Sequence, residues 1–409
     1  MKETKFKNTE IGRIPEEWET LYIHQITEIS TGATPSTNIN EYWENGTIRW
    51  MSSGELNNKI IYDVNGRITQ KGYDNTGTHM LPKNCVLIGL AGQGKTRGTA
   101  AYNKVELCTN QSIAAILPNS KYESKYLYFY IDSLYDKLRL LSAGDGGRGG
   151  LNKQILQNLE IAMPPLNEQH HIASALTSID NLISSLGKLI EKKKNIKQGA
   201  MQQLLTGQIR LKGFSEPWVY RKISEIATTS SGGTPSRSIP NYYYGDIKWF
   251  TTTELKDNYL YDSVEHITRE ALNNSSAKMF SANTILMAMY GATIGKLGVL
   301  KEPSTTNQAC CAIKCNDIVE IFLFYILLYN RKSIIEKGCG AGQPNISQAI
   351  VNELSFLVPP CEKEQQAIAN ILSKMDNEIT ALEAKRAKYE AIKQGMMQQL
   401  LTGKIRLIS

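Results

Sequence analysis

Sixteen residues of this chain occur twice. IKQGAMQQLLTGQIRL, from Ile196 to Leu211, returns as IKQGMMQQLLTGKIRL from Ile392 to Leu407, with fourteen of the sixteen positions identical at an offset of 196. A match of that length, with Met, Gln and Gly in the same order, marks an internal duplication whose period is a whole domain, too long for a solenoid. PPLNEQHHIA, from Pro164, likewise returns as PPCEKEQQAIA from Pro359, with one extra residue in the second copy. Each Pro-Pro pair must stand outside a helix. Glu168 and Glu364 then fall in the first turn of the helix that comes next, near the positive end of its dipole.

From there to the repeated LTG, apolar residues recur every seven. One row holds Ile172, Ile179, Leu186 and Ala200 beside Leu176, Ile183, Ile190 and Leu204, and the second copy has Ile368, Met375, Leu382 and Met396 beside Leu372, Ile379 and Leu400. A heptad sustained this long predicts a coiled-coil seam, with Ile172, Ile179, Leu186, Ile368, Met375 and Leu382 on it. About 38 helical residues make a rod on the order of 57 Å. Lys193 and Lys197 interrupt the rows, beside the run Lys192 to Lys194, with Tyr389 at the place of Lys193 in the second copy. This is either a solvated face where the seam loosens or a surface for a partner or for phosphate.

The segments between the helices are related more weakly. STGATPS at Ser30 to Ser36 matches SSGGTPS at Ser230 to Ser236, TIRWMSSGEL at Thr47 matches DIKWFTTTEL at Asp246, and Asn110-Gln111 matches Asn307-Gln308. Both segments read as mixed α/β, with strands at Asn84 to Leu90 and Asn283 to Met289. A helix is expected from Tyr122 to Leu141, followed by a last strand at Leu159 to Met163. A chain of 409 residues is long enough for two such domains, each with its own core. The expected boundaries are a first domain at 1–165, a first helix at 166–212, a second domain at 213–360 and a second helix at 361–409.

The longest apolar run, Ile321 to Tyr329, is far below the roughly 18 residues that cross a bilayer, and the opening MKETKFKNTE has no apolar signal core, so no membrane association is expected and the place is the cytoplasm. Seven cysteines show neither a secreted disulfide pattern nor paired C-x-x-C knuckles, which favours free, buried thiols over zinc ligation. The net charge of +7 permits a polyanionic partner without requiring one. The two globular segments are close to neutral, with 18 cations against 17 anions in 1–165 and 14 against 13 in 211–360.

This order of parts resembles the specificity subunits of type I restriction-modification systems: variable domain, Pro-Pro-x-x-EQ-led helix ending in MQQLLTG, then both again. The resemblance covers essentially the whole chain. It implies two mixed α/β target recognition domains joined by two long helices that form an antiparallel coiled coil, a pseudo-two-fold internal repeat. It further implies a subunit with no catalytic site that binds double-stranded DNA and docks two methyltransferase subunits, with motor-nuclease subunits joining the complex. S-adenosylmethionine, ATP and magnesium would sit on those partners and no cofactor or metal on this chain. If the second domain's ends lie close together, as domain termini often do, the second helix must run back along the first, which supports the antiparallel pairing independently. Two divergent domains then imply a bipartite, asymmetric target with its spacer set by the rod.

Base readout needs Arg, Lys, Asn, Gln, Ser or Thr on elements that reach groove edges. The candidates are Thr34, Ser36 and Arg49 in the first copy, with Thr234, Ser236, Arg237 and Lys248 in the second. The glycine-rich turns add Lys95, Arg97 and Lys296 as backbone contacts. Because the TPS loops are shared, discrimination is expected where the copies differ, as at Gly144 to Gly150 with Arg148 and Gly340 to Asn345 with Gln343. Trp50 and Trp249 are read as core anchors.

GLAGQGKT, Gly89 to Thr96, satisfies the phosphate-loop pattern G-x-x-x-x-G-K-[ST]. The stretch after it, RGTAAYNKVELCTNQS, carries no amphipathic helix to hold phosphate, and the matching GATIGKL breaks the pattern. No Asn-Pro-Pro-aromatic or Asp-Pro-Pro-aromatic tetrapeptide is present to grip a flipped adenine. His24, His79, His170, His171 and His266 show no metal spacing. The competing readings are a nucleotide-hydrolysing enzyme built on Gly94, Lys95 and Thr96, and a coiled-coil adaptor with sequence-indifferent DNA binding.

Overall fold

The computed structural model describes residues 4–92, 94–142, 150–338 and 345–408. The chain forms two compact units, Met1–Gly187 with Ala384–Ser409, and Lys188–Glu383. Each unit therefore holds one globular segment and a part of each long helix.

In the first unit a five-stranded sheet runs Ile29–Thr31, Ile113–Ile116, Val86–Gly89, Ala100–Asn103, Ile60–Ile61. Its neighbours are antiparallel except for the last, which is parallel to Ala100–Asn103. The second unit repeats this order with Ala227–Ser231, Cys310–Cys315, Ile285–Ala288, Leu297–Leu300 and Asn258–Leu260. The middle strands Val86–Gly89 and Ile285–Ala288 are apolar and buried at every position because both faces are covered. Val86 and Ile88 enter one core with the helix Ser124–Ser133, while Leu87 enters a smaller core with Met51 and Leu56. This is the two-residue period of a strand. A second, three-stranded sheet places Ile48–Met51 between Arg67–Ile68 and Cys108–Thr109, matched by Ile247–Phe250 between Glu265–Ile267 and Thr305–Thr306. The helix expected from Tyr122 to Leu141 is two helices, Ser124–Ser133 and Tyr135–Leu141, that meet at Leu134. The apolar period hides the break because Leu127 and Leu138, one on each piece, enter the same core.

The long helices are Leu166–Leu205 and Glu362–Leu400. Within each unit their segments run antiparallel. In the first unit Glu168 meets Arg406 and Asp180 meets Lys393 at 2.6 Å. In the second, Arg210 meets Glu364, while Lys197 meets Asp376 and Lys193 meets Glu378, each at 2.6 Å. Both lysines that interrupt the heptad bond acids on the opposing helix segment, Lys197 largely out of water and Lys193 with about a third of its side chain exposed. Among the seam residues, Ile172 and Ile368 are fully buried in the domain cores, Leu186 is buried, and Ile179, Met375 and Leu382 are half-buried.

The repeated sequences close each unit by the same device. The Glu168 carboxylate, buried, accepts from the Trp18 indole N–H at 3.0 Å and from Arg406 Nε and Nη2 at 2.7 and 2.8 Å. Glu364 accepts from Arg210 Nε and Nη2 at 2.7 and 2.8 Å and from the Trp218 indole at 3.4 Å. The neighbouring glutamines repeat as well: Gln169 accepts from the Glu123 amide and donates to the Pro164 carbonyl, as Gln365 does with Val319 and Pro359. The LTG turn allows the approach. Gly207 and Gly403 have φ of 71° and 67°, and a Cβ on Gly403 would stand 2.3 Å from Pro15, a left-handed C-terminal stop that only glycine takes without strain.

Removing one partner of a buried, hydrogen-bonded ion pair leaves an uncompensated charge at a cost of about 3–5 kcal/mol. Arg406→Ala should therefore destabilise the first unit by about 3 kcal/mol, and adding Glu168→Met should restore part of the loss. Hydrogen exchange resolved by unit checks this; a loss confined to the second unit would contradict the assignment. Burial also pushes Cys85, Cys310 and Cys311 up to about 12 and Cys108 to about 11. At pH 8 these thiols are neutral, so iodoacetamide should label them only after unfolding, and labelling of native Cys310 at the rate of an exposed thiol would refute it.

Candidate nucleic-acid interface

The TPS loops are held by their own shared neighbours. Trp50 and Trp249 are buried, and their indoles donate to the carbonyls of Ala33 and Gly233 at 3.0 and 2.9 Å. The Thr34 hydroxyl donates to Gln111 Oε1 at 2.6 Å, and Thr234 bonds Gln308 in the same way. The Ser36 carbonyl accepts from the Trp43 indole at 3.0 Å, whereas the Ser236 hydroxyl bonds that of Ser238 at 2.7 Å. Loop, tryptophan and Asn-Gln pair therefore form one brace in each unit, with the serines exposed at its edge.

Arg237 is engaged within its own unit. Its guanidinium forks onto Glu265, with Nη2 at 2.7 Å from Oε2, and lies over the rings of Tyr243 and Trp249, 4.1 and 5.1 Å from their centroids. That carboxylate bond is the main cause of the raised Arg237 pKa, and the guanidinium holds the Glu265 carboxyl below its usual range.

Lys95 and Arg97 lie on the loop between Val86–Gly89 and Ala100–Asn103. Helix Tyr135–Leu141 braces it: Arg139 Nη1 donates to the Gly94 carbonyl at 2.7 Å and the Tyr135 hydroxyl to that of Lys95 at 3.3 Å. Lys95 is exposed, and the buried Nε of Arg97 has no partner among the described residues. Lys296 turns onto Asp257 at 2.9 Å, where Arg331 also binds. The phosphate-loop lookalike leads into the strand Ala100–Asn103 and not into a helix, as a phosphate loop must. Arg148 and Gln343 lie outside the described residues.

The three-stranded sheet joins Arg49 and Lys248 to residues that sequence reasoning passed over. Arg49 stands directly opposite Arg67 across an antiparallel pair, and Lys248 opposite His266. Each pair has an acid beside it: Arg49 Nε donates to Asp63 at 2.8 Å, and His266 Nε2 lies 3.0 Å from Asp262. Arg49 is the largest cause that holds the Asp63 carboxyl below the ordinary range, and the Asp262 carboxyl is held low first by the Ser263 backbone amide and then by His266. The signal was present as the dipeptides Tyr62-Asp63 and Tyr261-Asp262, which share an offset of 199 with both cation positions. Both tyrosines are exposed. Thr34, Ser36 and Arg49 thus gather on this sheet and its loops, as do Thr234, Ser236, Arg237 and Lys248 in the second unit. Lys95, Arg97 and Lys296 belong to the separate glycine-rich turns.

The model of the type I restriction modification DNA specificity domain matches residues 15–198 and again 215–394. The chain is 28% identical over 438 residues to the type I restriction enzyme MjaVIII specificity subunit of Methanocaldococcus jannaschii, covering 99% of this chain and 97% of that one. It is also 28% identical over 184 residues to the EcoR124I/EcoR124II specificity subunit of Escherichia coli, covering 44% of this chain and 45% of that one. Among solved structures, the type I restriction-modification system S subunit from M. genitalium has the same fold, with a TM-score of 0.64 at 16% identity over 97% of this chain and 98% of that one. Two matches to one domain model, a full-length relative and a shared fold make this chain a member of the type I restriction-modification specificity subunits, the DNA sequence-recognition components of those systems.

Proposed function

We propose that each unit reads one half of a bipartite, asymmetric duplex target, and that the chain directs adenine methylation and restriction without a catalytic group of its own. The observation that carries this is one frame with two surfaces. The Glu-Arg-Trp closure, the TPS brace and the strand order recur in both units, while the partly exposed basic residues on equivalent strand positions are Arg49 and Arg67 in one and Lys248 and His266 in the other. Phosphate contacts orient a protein on DNA without sequence information, and base contacts discriminate. Equal frames with unequal cations suit two different half-sites.

The partner arrangement rests on the repeat. Ile196 and Ile209 are 47% and 49% exposed, and their counterparts Ile392 and Ile405 are 39% and 52%. Gly199 and Gly395 sit inside the helices, where glycine costs about 1 kcal/mol relative to alanine, and a Cβ there would meet nothing within 4 Å among the described residues. An apolar residue left in water twice at the same place supports one partner surface bound twice, here by two methyltransferase subunits. S-adenosylmethionine, ATP and magnesium then belong to those subunits and to an attached motor-nuclease.

Exchanging residues 213–360 for the corresponding segment of a relative should change one half-site in the methylated-adenine sequence motif and leave the other intact. Loss of both in a folded chimera would refute independent reading. Ile209→Asp or Ile405→Asp alone should reduce the bound methyltransferase subunits from two to one by native mass spectrometry. Two subunits retained by both single variants and by the double variant would exclude this surface.

A further inference from the structure

We propose that Arg49 is a specificity-determining residue that reads a guanine in the first unit's half-site through its two terminal guanidinium nitrogens, with Asp63 and Arg67 positioning it. This rests on the reading of the units as duplex readers. Like charges directly opposite one another on an antiparallel pair repel, so the Arg49–Arg67 pair stands only with Asp63 between them. Arg67 is used up in holding that acid: its Nη2 lies 2.9 and 3.0 Å from the two Asp63 oxygens, and its Nη1 donates to the Val64 and Gly66 carbonyls. Arg49 gives Asp63 its Nε alone, and its Nη1 and Nη2 have no hydrogen-bond partner among the described residues. The side chain is 41% exposed, and the next residue, Trp50, is buried and bonded to Ala33.

The result is a planar donor fork fixed at its base on a braced strand. An arginine held in this way gives up little rotamer freedom when it binds. A two-stranded ribbon fits the major groove of B-DNA, where guanine O6 and N7 form the acceptor pair that arginine meets bidentately. A phosphate presents a similar pair to this net-positive group of two arginines and one aspartate, and the two contacts part in their effect: a phosphate contact carries no sequence information, whereas a base contact sets one position of the half-site. The second unit has no equivalent fork at this position. Lys248 donates to Glu302 and to the Tyr261 carbonyl, both at 2.6 Å, and is 20% exposed. The first unit has Val105 at the place of Glu302 by the alignment of Lys104 with Lys301.

The test is methylated-adenine motif sequencing with the assembled methyltransferase complex carrying wild-type chain, Arg49→Lys, Arg49→Gln or Lys248→Gln. Both Arg49 variants should lose discrimination at one guanine of the first half-site by roughly ten- to a hundredfold. The second half-site should be unchanged, which also shows that the variant chain is folded and assembled. Lysine keeps the charge but not the fork, so Arg49→Lys should relax that base without a uniform fall in methylation, and it carries the test if Arg49→Gln fails to assemble. Lys248→Gln should leave the first half-site as it was. A uniform fall across all sequences, an unchanged first half-site, or a first half-site without guanine would overturn the assignment to Arg49 alone. A wild-type complex that methylates no bipartite motif would overturn the duplex reading and this assignment with it.

Discussion

A carboxylate that has left water must find donors, and in this molecule Glu168 and Glu364 find them from two directions at once. A tryptophan from the start of the same globular segment supplies one, and an arginine from the repeat at the far end of the other helix supplies two more. Three distant stretches of chain are thereby fixed at one point in each unit. The LTG glycine, the IRL arginine and the EQ pair are parts of that single closure, which accounts for the near-identity of the repeats. Drift in any one of them would strand a buried charge.

A rigid closure frees other positions to vary. Since the sheet order, the TPS brace and the buried tryptophans are the same in both units, the outer face of the three-stranded sheet can exchange Arg for Lys or Arg for His with the backbone register preserved. On the proposed reading, recognition is thus separated from stability. The residues that differ bear on exposed ion pairs, worth little to the fold, while those that recur carry buried bonds.

Much of this is legible in the sequence, and the failures have physical causes. The duplication exposes both helices, their antiparallel sense and the mixed α/β character, because a seven-residue apolar period and a duplicated chain leave direct traces. From sequence, the EQ glutamate serves only a helix dipole. Its true partner, Arg406, is 238 residues away, and no local period reports a contact of that range. Ile172 and Ile368 satisfy the heptad and lie in the domain cores, since the first turns of each helix serve both roles. Thr34 and Thr234 stand out as polar loop residues, yet their hydroxyls face Gln111 and Gln308, a pairing that only the folded loop brings together. Arg49 and Lys248 are legible as residue types and the repeated Tyr-Asp dipeptides as a pattern, but that Asp63 bonds Arg49 and Asp262 meets His266 follows only from the paired strands.

The two units differ in how they are written along the chain. The second is one continuous stretch, Lys188–Glu383, whereas the first is Met1–Gly187 completed by Ala384–Ser409. The first unit's core includes Leu400 and Leu401, and its buried glutamate waits for Arg406. During synthesis, which proceeds from the N-terminus at about 5–20 residues per second, the second unit has all its parts before the first does. The segment translated first is therefore the last to close, because Glu168 meets its arginine only after a further 238 residues have been made, roughly 12–48 s at that rate.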